Sequence, residues 1–264
     1  MPFVTVNATH VYYEWHGPSG APVVVLNNGI MMTTASWIRQ VPAFARQYRV
    51  LSYDMRGQGQ SAHPDGPYSM ALHADDLAAV MTALDVDRAH LLGISYGGEV
   101  CQAFALRHHA RVASLVLADT VSEVGPELRL AVGSWRRAAE MADAELLFDL
   151  TVPWNFSPAF IASNPALLDQ ARQRYRELDF AALTRLVDAF QGVAFTGELP
   201  RVAVPACVIV GEDDRLKGPT YARLIRDALP SAELHVIRGA AHAACWEKPE
   251  EFNTIVLGFL AKVT

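Results

Sequence analysis

Six short apolar runs, each bounded by turn residues and separated by helical patterns, limit what this chain can fold into. They lie at residues 23–26, 50–53, 91–94, 115–118, 207–210 and 234–237. An unbroken apolar run of four residues is the mark of a strand buried on both faces, as in a parallel sheet. Between the runs, Leu77, Val80, Met81 and Leu84 are spaced i, i+3, i+4, i+7. Near the end, Phe252, Ile255, Val256, Phe259, Leu260 and Val263 make one apolar stripe. Strands alternating with helices predict an α/β fold, a mostly parallel sheet flanked by helices. Residues 3–6 and 11–15 add two strands ahead of it, with Asn7-Ala8-Thr9 as their turn.

One stretch breaks the alternation. From about Val121 to Leu199 no buried-strand signal appears. Leu183, Leu186, Val187 and Phe190 keep a helical spacing there, and Pro153, Pro158 and Pro165 read as breakers. The expected organisation is a core of residues 1–120 and 200–264 with a helical cap of 121–199 inserted after the strand near residues 112–118. At 51% hydrophobic the chain has enough apolar surface to fold without staples. Its net charge of −6 offers no footprint for nucleic acid or anionic lipid. Three cysteines are too few for a disulfide framework, and no apolar run reaches the roughly 20 residues of a membrane span. With no signal peptide visible, a cytoplasmic protein is expected. Its oligomeric state is open, a homodimer included.

The sharpest chemical signal is Gly93-Ile94-Ser95-Tyr96-Gly97, a G-x-S-x-G between an apolar strand and a helical stretch beginning near Glu99. Such a turn holds a serine in a strained conformation that only small neighbours permit, with a helix N-terminus aimed at it. A serine hydroxyl is a weak nucleophile and needs a base, itself oriented by an acid. Glu212, Asp213 and Asp214 follow one buried run, and His242 follows the next on the small-residue loop Gly239-Ala240-Ala241. Catalytic groups collect at such carboxyl ends of open α/β sheets. No H-e-x-x-H-like ligand cluster exists, so neither a metal nor a cofactor is expected.

Along nearly its full length the chain resembles the α/β-hydrolase superfamily. Besides the serine turn, Asp54-Met55-Arg56-Gly57-Gln58-Gly59-Gln60-Ser61 resembles the family's D-x-R-G-x-G-x-S turn. Gly211-Glu212-Asp213-Asp214 resembles its G-x-x-D acid turn, and Gly239 to His242 with Glu247 to Phe252 its histidine loop and last helix. The resemblance implies a catalytic Ser95, His242 and Asp214, with Asp213 and Asp119 as weaker alternatives for the acid. It also implies an oxyanion hole of two backbone N–H groups, those of Tyr96 and Ile30. Asn28 stands where the family's H-G-x loop usually has histidine; an N-G-x version is similar to some enol-lactone hydrolases.

The activity so implied is hydrolysis of a carboxylic ester or lactone through an acyl-enzyme. The partner expected is a small-molecule substrate with an apolar portion, contacted by Met31, Trp37, Trp135, Trp154 and Phe156. Cap arginines Arg136, Arg137, Arg172 and Arg174 are read as a solvated face. Cys101 is read as packing, and Cys245 as packing or pocket wall. Carbon–carbon bond hydrolysis and acyl transfer use the same triad. A ligand sensor on the same fold is the reading from outside enzymology.

Overall fold

The computed structural model describes residues 2–264. Eight strands run β1 Phe3–Val6, β2 Thr9–His16, β3 Val23–Asn27, β4 Arg49–Tyr53, β5 Ala89–Ile94, β6 Val112–Ala118, β7 Ala206–Gly211 and β8 Ala232–Ile237. They form one sheet in the order β1-β2-β4-β3-β5-β6-β7-β8, antiparallel at β1–β2 and β2–β4 and parallel across the rest. Each of the six apolar runs is a strand. Every residue of β5 and β7 is buried.

The helices are α1 Val41–Phe44, α2 Met70–Ala83, α3 Tyr96–Arg107, α4 Pro126–Glu140, α5 Ala144–Asn155, α6 Pro158–Ser163, α7 Pro165–Tyr175, α8 Phe180–Gln191, α9 Pro219–Ala228, α10 Ala244–Glu247 and α11 Pro249–Val263. Alternate strand residues feed two cores. Val25, Leu51, Leu91 and Leu115 pack with α2, α3 and α9, whereas Val24, Val50, Leu92 and Val116 pack with α1, α10 and α11. This is the period-2 signature of a sheet covered on both faces. The stripe of residues 252–263 falls in α11, where Phe252, Val256, Phe259 and Leu260 are buried.

Helices α4 to α8 fill the stretch between β6 and β7, and a single bridge between Glu123 and Ala194 closes its base. Two of the three prolines expected as breakers stand at breaks between helices, after α5 ends at Asn155 and after α6 ends at Ser163. Pro158 and Pro165 start α6 and α7, where the missing N–H costs nothing. Pro153 lies inside α5, two residues before its end. No described helix is long and apolar enough to cross a membrane.

Candidate active site

The turn from β5 to α3 is built from small residues. Ser95 takes φ 52° and ψ −120°, and α3 begins at the very next residue, three earlier than its helical pattern indicated. A Cβ on Gly93 would sit 2.2 Å from the Gly97 carbonyl oxygen, and one on Gly97 would sit 2.0 Å from that of Asn27. Backbone thus lies where side chains would be, and the strained serine is held by Ser95 N–H donating to Ala118 O at 2.8 Å. The Thr120 hydroxyl lies 2.9 Å from the Ser95 carbonyl oxygen, its one hydrogen directed to the Glu99 carboxylate on its other side.

Three side chains from separate loops meet at this turn. Ser95 Oγ lies 2.9 Å from His242 Nε2, and His242 Nδ1 lies 2.9 Å from Asp214 Oδ2. Ser95, His242 and Asp214 are all buried. The chain curls around the Asp214 carboxylate, whose Oδ1 accepts the N–H groups of Leu216 and Lys217 at 2.8 Å each. The acid and histidine loops touch, for a Cβ on Gly211 would meet Ala241 O at 2.2 Å. Asp213 is exposed, and the two ring nitrogens of His242 bond Asp214 and Ser95 instead. Asp119 is fully buried and holds the loops together instead, accepting from Gly211 N–H at 2.9 Å and Ala244 N–H at 3.4 Å. Burial, then the charge of Asp214, push the Asp119 carboxyl well above the usual range.

The loop after β3 approaches from the other side. Ile30 and Tyr96 line the same cavity as Ser95, and neither backbone N–H has an acceptor among the described residues. Two N–H groups without acceptors beside one serine, that of Tyr96 at a helix start, are a ready site for an oxygen that gains negative charge. Asn28 anchors the loop from below. Its amide donates to Tyr53 O at 3.0 Å, and its oxygen accepts the Trp37 indole N–H at 2.7 Å.

The cavity at Ser95 measures about 20 Å³, room for a single water. Its remaining walls are Val132 and Trp135 of α4, Val187 and Phe190 of α8, and Leu216 and Lys217 of the acid loop. An open groove of about 490 Å³ lies on the far side of Asp214, between α5–α6 and the loops of β7 and β8. Trp135 therefore faces the inner cavity, and Trp154 and Phe156 the outer groove. Two expected contacts fall elsewhere. Trp37 is wholly buried in the core with α1 and α11, because its indole is consumed by Asn28. Met31, at φ 63°, is half-buried and lines neither space.

Cys101 and Cys245 are both fully buried. Cys245 packs against Ala244 and Phe252, not on a pocket wall, and burial raises both thiols well above their ordinary pKa. Arg136 pairs with Asp188 and Glu140, and Arg172 with Glu145 and Asp149, on the solvent side of the helices. Cys207, Glu233 and His235 bring three possible metal-ligand atoms within 4.8 Å of one another. Lys262 Nζ already pairs with Glu233, and burial disfavours the Cys207 thiolate. Lys217 and its buried partner Glu99 belong to none of the motifs. The available signal was a lone acid in the otherwise apolar start of α3.

The chain matches the α/β hydrolase fold family over residues 22–249. It is 28% identical to the "Putative carbamate hydrolase RutD" of Azorhizobium caulinodans, covering 100% of this chain and 99% of that one. It is 27% identical to 3-oxoadipate enol-lactonase 1 of Acinetobacter baylyi, covering 94% and 92%. Among solved structures, the enol-lactonase from Burkholderia xenovorans LB400 superposes with TM-score 0.93 at 29% identity, covering 98% of this chain and 100% of that one. The chain belongs to the α/β hydrolase fold family and is an enzyme of that fold.

Proposed function

We propose that the protein hydrolyses a carboxylic ester or lactone through an acyl-enzyme on Ser95. The observation that carries this reading is the unbroken relay of 2.9 Å contacts from Ser95 Oγ to His242 to Asp214, beside two unpartnered N–H groups. Asp214 fixes the tautomer with the proton on Nδ1, which leaves Nε2 to accept the serine proton. Ser95 Oγ then attacks the acyl carbonyl. The N–H groups of Ile30 and Tyr96 receive the oxyanion, each lowering the barrier by about 3–4 kcal/mol. His242 returns its proton to the leaving oxygen, and a water activated by the same nitrogen releases the acid. No metal and no cofactor enters this sequence.

The relatives named as enol-lactonase and carbamate hydrolase support attack on an acyl carbonyl that bears a heteroatom leaving group. The apolar walls support a small substrate with an apolar acyl or alcohol portion. The test pairs a fluorophosphonate probe with turnover of short aryl esters and lactones. Labelling that disappears in Ser95→Ala, with turnover falling by about four orders of magnitude or more, is expected. Labelling without turnover would instead mark a sensor, and turnover that survives Ser95→Ala would refute the assignment.

A further inference from the structure

The cavity beside Ser95 has a wall that its apolar character does not explain. Lys217 lines it together with Val187, Phe190 and Leu216. Its side chain is only 4% exposed. Two of its N–H groups go to Glu99, at 3.0 Å to each carboxylate oxygen. Glu99 is itself wholly buried and also accepts from Val121 N–H at 3.0 Å and from Thr120 Oγ1. An ammonium has three N–H groups. No oxygen among the described residues takes the third. The nitrogen stands 4.3 Å from the centre of the Phe190 ring, itself a cavity wall. That ring face balances part of the ammonium's charge, but it is not the short, directional acceptor that an oxygen offers to a charged N–H.

Building on the acyl-enzyme reading, we infer that Lys217 is a specificity residue, and that the substrate carries a second, uncharged acceptor oxygen on the portion lodged against it. The class is an oxo- or ether-substituted ester or lactone. Charge decides against a carboxylate there. The ammonium is already matched by Glu99, so a second anion would meet the Glu99 carboxylate in a nearly dry space. An uncharged carbonyl or ether oxygen takes the free N–H and leaves the balance intact. A plain alkyl chain would cover that N–H without satisfying it. Sites built to hydrogen-bond a substrate oxygen reject analogues that lack it.

The experiment compares kcat/KM of the wild-type enzyme for p-nitrophenyl hexanoate, its 3-, 4- and 5-oxo analogues and the mono ester of hexanedioic acid. Each value is divided by that ester's hydroxide-catalysed rate to remove intrinsic reactivity. One oxo position should exceed hexanoate by about tenfold or more. The pair Lys217→Met/Glu99→Gln, which removes both charges together, should bring that ratio to within about twofold of unity. Equal rates for all oxo esters and hexanoate, or a ratio unchanged in the double variant, would overturn the inference. So would a carboxylate ester favoured over every oxo ester. Should the double variant fail to fold, the wild-type series alone decides. Hydrolysis of plain hexanoate with Ser95 labelling keeps the acyl-enzyme reading separate, since it stands even when the oxygen preference is absent.

Discussion

At the scale of single residues, the turn that carries Ser95 depends on glycines packed against backbone. Gly97 cannot become alanine without placing a Cβ 2.0 Å from backbone that has no room to retreat. Gly97→Ala should destabilise by about 2–3 kcal/mol and abolish esterase turnover, read by thermal melting and aryl-ester hydrolysis. His73 gives a pH dependence away from the turn. Its ring sits edge-on between Tyr68 and Tyr96, with centroids 5.7 and 5.5 Å away. Burial lowers its pKa to about 4. Unfolding returns it to about 6.5, so between these values the unfolded chain binds more protons and stability falls as pH drops. His73 should remove up to about 3 kcal/mol between pH 7 and pH 4. Urea midpoints that fall steeply in the wild type and less so in His73→Phe are expected. Equal slopes would show the ring to be solvated.

At the scale of elements, the loop after β3 packs against the β5 turn and the loop after β7 against that after β8, where a Cβ on Gly97 or Gly211 would strike the neighbouring backbone. Glu247 of α10 accepts Ala241 N–H of the histidine loop at 3.1 Å and Ser157 N–H at the start of α6 at 3.0 Å. One carboxylate thus spans sheet and helical insertion. Glu247→Ala should lower kcat/KM by about tenfold through His242 placement, with labelling of Ser95 slowed to match. By contrast, the Arg136–Asp188 pair joining α4 and α8 faces solvent, and Arg136→Ala should change stability by less than about 1 kcal/mol in urea titration.

The elements also show what could be read from the chain alone. Buried strands announce themselves because both faces need apolar residues, and the glycines at 93 and 97 announce a tight turn because no other residue fits. Faces are harder. Trp37 and Trp135 are both tryptophans near candidate loops, yet one points into the sheet's far core and the other into the cavity. Nothing local separates them, since the direction of Trp37 is decided by Asn28, a partner across the loop. The Lys217–Glu99 pair was invisible for a related reason: 118 positions separate its members, and only the fold joins them. Pro153 reads as a breaker yet lies inside α5, because its position near the helix end, not its identity, decides what it does.

For the whole molecule, the central question is how a substrate reaches a serine whose cavity holds one water. Helices α4 and α8 roof it, with Trp135 and Phe190 against the opening. Entry of an ester from this side would lift that roof. Modification of Ser95 by a bulky phosphonate should therefore speed amide hydrogen exchange in residues 126–140 and 180–191 while leaving β5 and β7 protected. Unchanged exchange in both helices would mean that substrate arrives another way, the groove at Trp154 and Phe156 being the nearest. Underneath this motion, the proposed hydrolysis depends on a covalent bond between Ser95 and the acyl group. Rapid acid quench of the enzyme with p-nitrophenyl butyrate, followed by peptide mass analysis, tests that bond directly. The expected result is a butyryl adduct on the peptide containing Ser95, formed within a turnover and absent in His242→Ala. Steady hydrolysis with no adduct at any quench time, or an adduct only on another residue, would contradict it.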